Sequence, residues 1–285
     1  MSAIFTNGSG KSLARTMLNK VPEVTFFFWV IKIMCTTIGE TAADYLNINL
    51  GLGLSNTTSV AGALLVALLI VQVRFRRYVP GVYWSVVVVI SVFGTLITDN
   101  LTDAYKVPLT TSTIVFSILL ALVFLVWWLV ERTLSIHTIV TTRREAFYWL
   151  AILFTFALGT AVGDLIAEKF ALGYWVSAAI FGGAIALVTV AHFGLKLNAV
   201  LAFWLAYILT RPLGASIGDG LSQPAHTSGL GLGTTTTSYI FLGCILALVT
   251  YLTITKRDQT PREEIEHDEE ATRRRRALEL ARQEA

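Results

Sequence analysis

Acidic residues recur at a fixed spacing within otherwise apolar stretches of the chain. In each of four stretches, a tryptophan preceded by an aromatic residue is followed ten residues later by glycine and five residues after that by aspartate. The copies are Phe28, Trp29, Gly39 and Asp44; Tyr83, Trp84, Gly94 and Asp99; Tyr148, Trp149, Gly159 and Asp164; and Phe203, Trp204, Gly214 and Asp219. An ionisable group inside an apolar segment is costly and usually faces a protein interior or a water-filled cavity. The repeated aspartates therefore predict an ion or proton site.

Three of the four copies carry a second carboxylate four residues from the motif aspartate, on the same helical face; the fourth has Gln223 there. Close carboxylates repel each other, and the binding of either a proton or a cation relieves that repulsion. Such a site can exchange protons for cations. The predicted ion- or proton-binding residues are Glu40, Asp44, Asp99, Asp103, Asp164, Glu168 and Asp219, of which Glu40, Asp44, Asp164 and Asp219 are candidate metal ligands. Oxygen ligands favour Mg²⁺, Ca²⁺, Mn²⁺, Na⁺ or protons over softer metals.

Two cationic side chains accompany these acids inside the apolar stretches. Lys32 lies on the helical stripe of Glu40, and we expect it to form a salt bridge with that residue or with another motif acid. Arg211 immediately precedes Pro212 and is a candidate counter-ion for a neighbouring carboxylate. Proline at this position predicts a kinked helix with a freed carbonyl group. Interrupted helices are typical of binding sites in transporters.

The remaining motif positions have structural interpretations. Tryptophan is expected to anchor or pack each helix, and glycine to allow close approach between helices. These structural residues are Trp29, Gly39, Trp84, Gly94, Trp149, Gly159, Trp204 and Gly214. The aspartates also have a structural alternative, because a carboxylate near a helix end can form a repeated turn or a hydrogen bond to a hydroxyl group of a neighbouring repeat.

The composition indicates a protein of the lipid bilayer. Hydrophobic residues make up 54% of the 285 residues and charged residues only 14%, with a mean hydropathy of +0.66, whereas soluble domains carry about 25% charged residues. A membrane-spanning helix needs about 20 mostly apolar residues. Eight runs qualify, near residues 22–46, 57–75, 79–102, 108–131, 146–168, 172–194, 197–220 and 231–255. The sequence thus predicts an all-α, polytopic membrane protein of eight transmembrane helices.

The eight runs form four copies of a two-helix unit. The motif copies are offset by 55, 65 and 55 residues, and each lies in an odd-numbered run. Because a two-helix unit keeps its orientation, the copies should be related by an axis along the membrane normal, with the motif helices at the centre and the even helices facing lipid. The predicted organisation is a segment 1–20, a transmembrane domain 21–255 with repeats 21–75, 76–131, 145–195 and 196–255, and a charged tail 256–285.

Lysine and arginine are concentrated in the loops at one end of the helices. One set of segments contains Lys11, Arg15, Lys20, Arg74, Arg76, Arg77, Arg132, Arg143, Arg144, Lys196 and Arg273–Arg276. The other set has only Lys106 and Lys169 as clear loop cations. The positive-inside rule therefore predicts that both termini are cytoplasmic. The motif aspartates would then lie toward the opposite side of the membrane.

Several segments carry a resemblance to a known family. They are residues 21–29 with Lys32, residues 36–44, residues 159–164 and residues 211–219. Together they resemble a bacterial family of multi-spanning proteins that is described only as uncharacterised membrane, or membrane-anchored, proteins. The resemblance extends over about residues 20–255. It implies a location in the bacterial inner membrane, but it implies no substrate.

These observations favour a secondary transporter or exchanger of a small cation, expected to be a divalent metal ion coupled to protons. The alternatives are a cation-selective channel, a membrane scaffold that recruits a partner through its tail, and a small-molecule permease. The chain has no complete Walker motif and no HExxH motif. We therefore expect no enzymatic activity, no cofactor and no nucleic-acid partner. The expected partners are the lipid bilayer and the transported cation or proton, and a homo-oligomer is left open.

Overall fold

Eight long helices make up most of the protein. The computed structural model describes residues 19–258, so most of the predicted segment 1–20 and nearly all of the tail, including Arg273–Arg276, lie outside the described residues. The helices are α1 (Phe26–Asp44), α2 (Leu54–Arg74), α3 (Pro80–Asp99), α4 (Leu109–Glu131), α5 (Thr142–Asp164), α6 (Tyr174–Leu195), α7 (Ala199–Ser222) and α8 (Thr234–Thr255). Each is long and apolar enough to cross a membrane. Over residues 19–258, the predicted all-α fold with eight helices able to span a membrane is confirmed.

The odd-numbered helices form a closed ring. Helix α1 contacts α3, α3 contacts α5, α5 contacts α7, and α7 contacts α1 again. In the most apolar part of each odd helix 61% of residues are buried, against 11–22% in the even helices. Each even helix packs on the next odd helix, and α8 packs on α1. The motif helices therefore lie at the centre and the even helices lie outside them, as predicted.

Glycine sets the spacing of the ring. A Cβ atom on Gly39 would overlap Ser91 of α3, and a Cβ atom on Gly214 would overlap Thr36 of α1. The same relation holds at all four junctions: each motif glycine faces the residue three positions before the next motif glycine. The four pairs are Gly39 with Ser91, Gly94 with Phe156, Gly159 with Arg211, and Gly214 with Thr36. This cyclic register gives the ring approximate fourfold symmetry, and it explains why small residues are needed there.

Aromatic side chains fill the ring at the end where the motif tryptophans lie, which we call the Trp end; the opposite end is the Asp end. Each motif aromatic residue packs against the tryptophan of the next repeat. The ring centroids are 5.7 Å apart for Phe28 and Trp84, 5.5 Å for Tyr83 and Trp149, 6.2 Å for Tyr148 and Trp204, and 5.6 Å for Phe203 and Trp29. These separations are typical of attractive aromatic pairs. The resulting aromatic layer closes the centre of the Trp end.

The odd helices end differently at the Asp end. In three repeats a single π-helical turn begins immediately after the motif aspartate, at Tyr45–Asn49, Asn100–Ala104 and Leu165–Lys169. Helix α7 has no such turn, and it continues as an α-helix from Asp219 to Ser222. Isolated π-helical turns are rare and often occur at functional sites. The sequence analysis did not predict them.

Short segments next to the helices are fixed to the Trp end by buried polar contacts. Lys20 Nζ lies 2.6 Å from the buried carboxylate of Glu145. The Tyr78 hydroxyl donates to Asp258 Oδ2 at 2.5 Å, and Trp84 Nε1 donates to the Tyr78 oxygen. Burial raises the pKa of Asp258, and burial together with the neighbouring Asp258 raises the pKa of Tyr78. The chain on both sides of the eight helices is thus attached to the ring.

Candidate ion site on the ring axis

One arginine connects all four odd helices. Arg211 on α7 is fully buried, and its Nη1 donates to the carbonyl oxygen of Thr36 at 3.0 Å. Its Nη2 donates to Glu40 Oε2 at 2.9 Å, to Thr160 Oγ1 at 2.8 Å and to Thr95 Oγ1. Glu40, Thr95 and Thr160 each follow the motif glycine of their own helix directly. A single side chain of the fourth repeat therefore binds the equivalent position of the other three.

The ion pair between Arg211 and Glu40 lies in a protein interior. The side chain of Arg211 is 0% exposed and that of Glu40 8% exposed. Removing two charges from water is costly, and their mutual attraction compensates only when the geometry is good and further hydrogen bonds are made. Arg211 has such bonds on both terminal nitrogens, whereas its Nε atom has no partner within the described chain. The pair holds the ring together around its axis.

Three motif acids converge beside this ion pair. Carboxylate oxygens of Glu40 on α1, Asp164 on α5 and Asp219 on α7 all lie within 4.8 Å of one another. Glu40 and Asp219 are buried, at 6% and 7% exposure, and Asp164 is half-buried. Within residues 19–258, the Asp219 carboxylate has neither a hydrogen-bond donor nor an ion-pair partner. The convergence comes from the ring, because helices from three repeats present their acids to one axis.

The other predicted acids surround this cluster toward the Asp end. Asp44 and Asp99 are half-buried, and both interact electrostatically with Glu40. Asp44 Oδ2 also accepts a hydrogen bond from Gln223 Nε2 at 3.2 Å. Asp103 and Glu168 lie on the π-helical turns and are exposed. The acids thus form a funnel, which runs from an exposed rim to a buried apex at Glu40 and Asp219.

The central charges do not balance within the ring. Seven carboxylates lie in the funnel, at the positions given above, while the fully buried cations of the motif helices are Lys32 and Arg211. Unpaired charges in a protein interior are strongly unfavourable. Five of the seven carboxylates are buried or half-buried, so the interior of the ring holds more carboxylates than these two cations offset.

Lys32 does not form the predicted salt bridge. Its Nζ atom hydrogen-bonds to Thr210 Oγ1 at 3.3 Å and lies over the rings of Tyr207 and Phe156, at 4.0 and 4.4 Å from their centroids. No carboxylate of the described chain is within ion-pair distance of it. The prediction was wrong because Arg211 reaches Glu40 from the adjacent helix. Lys32 itself lies about 12 Å from Glu40 along the helix axis, at eight residues' separation.

Several contributors to the site were not predicted from the sequence. Thr95 and Thr160 were not singled out, although aligning the four repeats on their glycines places both threonines at the position of Glu40. Helix α7 continues through Pro212 without a break, while the predicted kink and freed carbonyl group stay predictions. Proline is tolerated within membrane helices because neighbouring groups can satisfy the freed backbone atoms.

Comparison with known proteins gives a family but no activity. A family model described as a repeat of unknown function, DUF347, matches residues 27–78, 82–133, 147–197 and 202–258. Each match covers most of one odd helix and all of the even helix after it, so the four matches reproduce the four repeats seen in the ring. No match was found among curated proteins or among solved structures.

Proposed function

This chain belongs to the family of the DUF347 repeat, whose description assigns no activity, and we propose a function from the geometry of its site. We propose that the protein is a secondary transporter of a small cation, coupled to protons. The expected cation is a hard divalent metal ion. The observation that supports this most directly is the convergence of Glu40, Asp164 and Asp219 at the buried apex of an acidic funnel. Ionisable groups inside a membrane protein commonly mark ion pathways and proton relays.

The spacing of the three carboxylates suits a hard divalent cation. Mg²⁺ binds oxygen ligands at about 2.0–2.1 Å and Ca²⁺ at about 2.3–2.6 Å. Ligands on opposite sides of such an ion are then roughly 4–5 Å apart. The carboxylate oxygens of Glu40, Asp164 and Asp219 lie within 4.8 Å of one another, so one ion can contact all three. No described cysteine or histidine belongs to this group, which favours Mg²⁺, Mn²⁺ or Ca²⁺ over softer metals.

Proton coupling follows from the same arrangement. When no cation is bound, the close carboxylates lower their repulsion by binding protons. An arriving divalent cation competes for the same oxygens and releases those protons. Arg211 stays paired with one oxygen of Glu40 and leaves the rest of the cluster available. Exchange of protons for a cation therefore needs no further chemical group.

The aromatic layer supports an alternating route over an open channel. A channel needs a continuous path for the ion, whereas the Trp end is filled by the packed rings of four repeats. Transport through this axis requires the layer to part after an ion has entered from the Asp end. The transport rate of such a cycle saturates as the ion concentration rises. The flux through a simple pore does not saturate while the flux is low.

The orientation is also part of this proposal. The loop cations at the Trp end include Arg74, Arg77 and Arg144, and those at the Asp end are Lys106 and Lys169. With the Trp end in the cytoplasm, the funnel opens to the non-cytoplasmic side of a bacterial inner membrane. Labelling of single cysteines placed in the loop 51–53 and in the loop 75–78 of intact cells tests this assignment: impermeant reagent should reach only the first.

Flux in proteoliposomes tests the transport proposal. Purified protein is reconstituted with a pH-sensitive dye inside, and Mn²⁺, Mg²⁺, Ca²⁺, Zn²⁺ and Na⁺ are added in turn under an imposed proton gradient. We expect a divalent ion to produce a saturable pH change that is lost in D164N/D219N. The matched control is E131Q, which removes an acid at the Trp end of α4 that pairs with Arg143 and Arg144. Folded protein that responds to none of these ions, or a double variant with full flux, refutes the proposal.

A further inference from the structure

Lys32 is a buried cation that forms no ion pair with the described acids of the funnel. Its side chain is fully buried, three residues after Trp29 and eight before Glu40. It therefore lies on the axis between the aromatic layer and the Arg211 ion pair. At the equivalent positions the other repeats carry Val87, Ile152 and Tyr207, so the cation occurs once in the ring. An ion that crosses the ring has to pass it.

Within residues 19–258, no carboxylate forms an ion pair with Lys32. The groups that interact with it are Cys35 on its own helix, Arg211 on α7, and the rings of Phe156 on α5 and Tyr207 on α7; the acids on the same helices lie toward the Asp end, beginning at Glu40. An ammonium group has three N–H donors, and Lys32 uses one of them, to Thr210. The faces of the two aromatic rings add cation–π attraction to the ammonium. Lysine is the side chain that changes charge readily when buried in this way.

A groove at the Trp end reaches Thr210, the hydrogen-bond partner of Lys32. A cavity of about 700 Å³ lies between the start of α1, the end of α6, the first half of α7 and the loop after α4. Its lining is mainly apolar; the polar side chains in it include Thr25, Thr189 and His192, and the lining extends to Thr210. Thr210 is also the hydrogen-bond partner of the Lys32 ammonium. The lysine is therefore one side chain away from a groove that bypasses the aromatic layer.

We propose that Lys32 is the proton carrier on the Trp side of the transport cycle, and that it exchanges its proton through the groove beside Thr210. This inference rests on the proposed function, because it assumes that a cation moves along the ring axis. In the charged form, Lys32 repels a cation that approaches from the acidic cluster. One proton then passes from the ammonium to water in the groove and leaves a neutral amine. The reverse step restores the ammonium, so one proton moves for each passage of the cation.

Substitutions of Lys32 separate charge from proton exchange. K32R keeps a positive charge that is not lost in proteins, and we expect it to bind cation at the acidic cluster but to stop transport. K32Q removes both charge and proton, and we expect it to transport with one fewer proton per cation than wild type. The measurement is the ratio of proton to cation flux in proteoliposomes, with binding followed separately by titration of Mn²⁺ in detergent.

A second pair of variants covers the case that changes at Lys32 prevent folding. T210V removes the hydroxyl group that binds the lysine beside the groove, and we expect it to slow flux about a hundredfold or more, in the range of an assisted proton transfer, with unchanged Mn²⁺ affinity. The matched control is T155V, at the equivalent position of the third repeat, where the buried hydroxyl bonds only to the carbonyl oxygen of Ala151. T155V should transport like wild type.

The outcomes distinguish this inference from the proposed function. Coupled flux in K32R, an unchanged proton ratio in K32Q, or equal rates in T210V and T155V overturns the role of Lys32 and leaves cation transport standing. A wild-type protein that binds and moves no cation overturns the transport proposal itself. Loss of flux in K32R, together with a lower ratio of proton to cation flux in K32Q, supports the role of Lys32 as proton carrier.

Discussion

Removing Arg211 tests whether its ion pair with Glu40 compensates the buried negative charge at the centre of the ring. In the R211M variant, Glu40, which is 6% exposed and lies beside Asp164 and Asp219, loses the one cation that pairs with it among residues 19–258. Breaking a buried pair by removing one partner costs about 3–5 kcal/mol, because the remaining charge stays buried. In a protein of this size that corresponds to a fall in Tm of roughly 6–20 °C, at about 2–4 °C per kcal/mol.

The cause of this loss can be identified from what restores it. If uncompensated negative charge is responsible, either acidification or millimolar Mn²⁺ should stabilise R211M more than wild type, because protons and cations both neutralise the carboxylates. The double variant E40Q/R211M removes both charges, and it should recover most of the stability. The assay is thermal unfolding in detergent, followed by tryptophan fluorescence, at several pH values with and without Mn²⁺.

Two results would refute the reasoning about Arg211. One is a single variant with wild-type stability, since that would mean that the ion pair contributes nothing to the ring. The other is a double variant as unstable as R211M, because the loss would then come from the packing and the hydrogen bonds to Thr95 and Thr160 and not from the charge on Glu40.

Two further predictions concern the frame around the site. G214A should destabilise the protein by about 1–3 kcal/mol, because its Cβ atom would overlap Thr36, whereas G182A on an outer helix has open space there and should be nearly neutral; equal unfolding temperatures would contradict the close approach. D258N should become more stable relative to wild type as the pH rises, because burial raises the pKa of Asp258 in the folded protein. The stability that this group contributes is present below its ordinary pKa of about 3.9, and it is lost as the pH rises through the folded-state pKa. Parallel pH profiles of unfolding for D258N and wild type would contradict this prediction.

The sequence predicted the architecture well because that part of the problem is periodic. Apolar runs define membrane helices through their length, and the fourfold spacing of Trp29 and its equivalents defines the two-helix unit. A repeat of two helices keeps one orientation, which is enough to place the motif helices together around an axis. The glycine positions were interpreted as contacts on the same grounds, and the structure has all four at helix junctions.

The partners of the central charges could not be predicted in the same way. A single sequence gives the depth of a residue along its own helix, but not the rotation of neighbouring helices about their axes. Lys32 and Glu40 share a stripe on α1, yet Glu40 is bound by Arg211 of α7 and Lys32 lies between the rings of Phe156 and Tyr207. The π-helical turns were missed because a change from α to π geometry leaves no periodic signal over five residues.

The cyclic register also explains what is gained by joining the four units in one chain. In an assembly of four separate, identical two-helix subunits, an arginine at the position of Arg211 would be present four times around one axis, and the guanidinium groups would repel each other at close range. Covalent linkage lets each quarter diverge while the backbone symmetry persists. The protein can then place one arginine opposite one glutamate and two threonines, so that a nearly symmetric scaffold holds an asymmetric charge pattern suited to a single small ion.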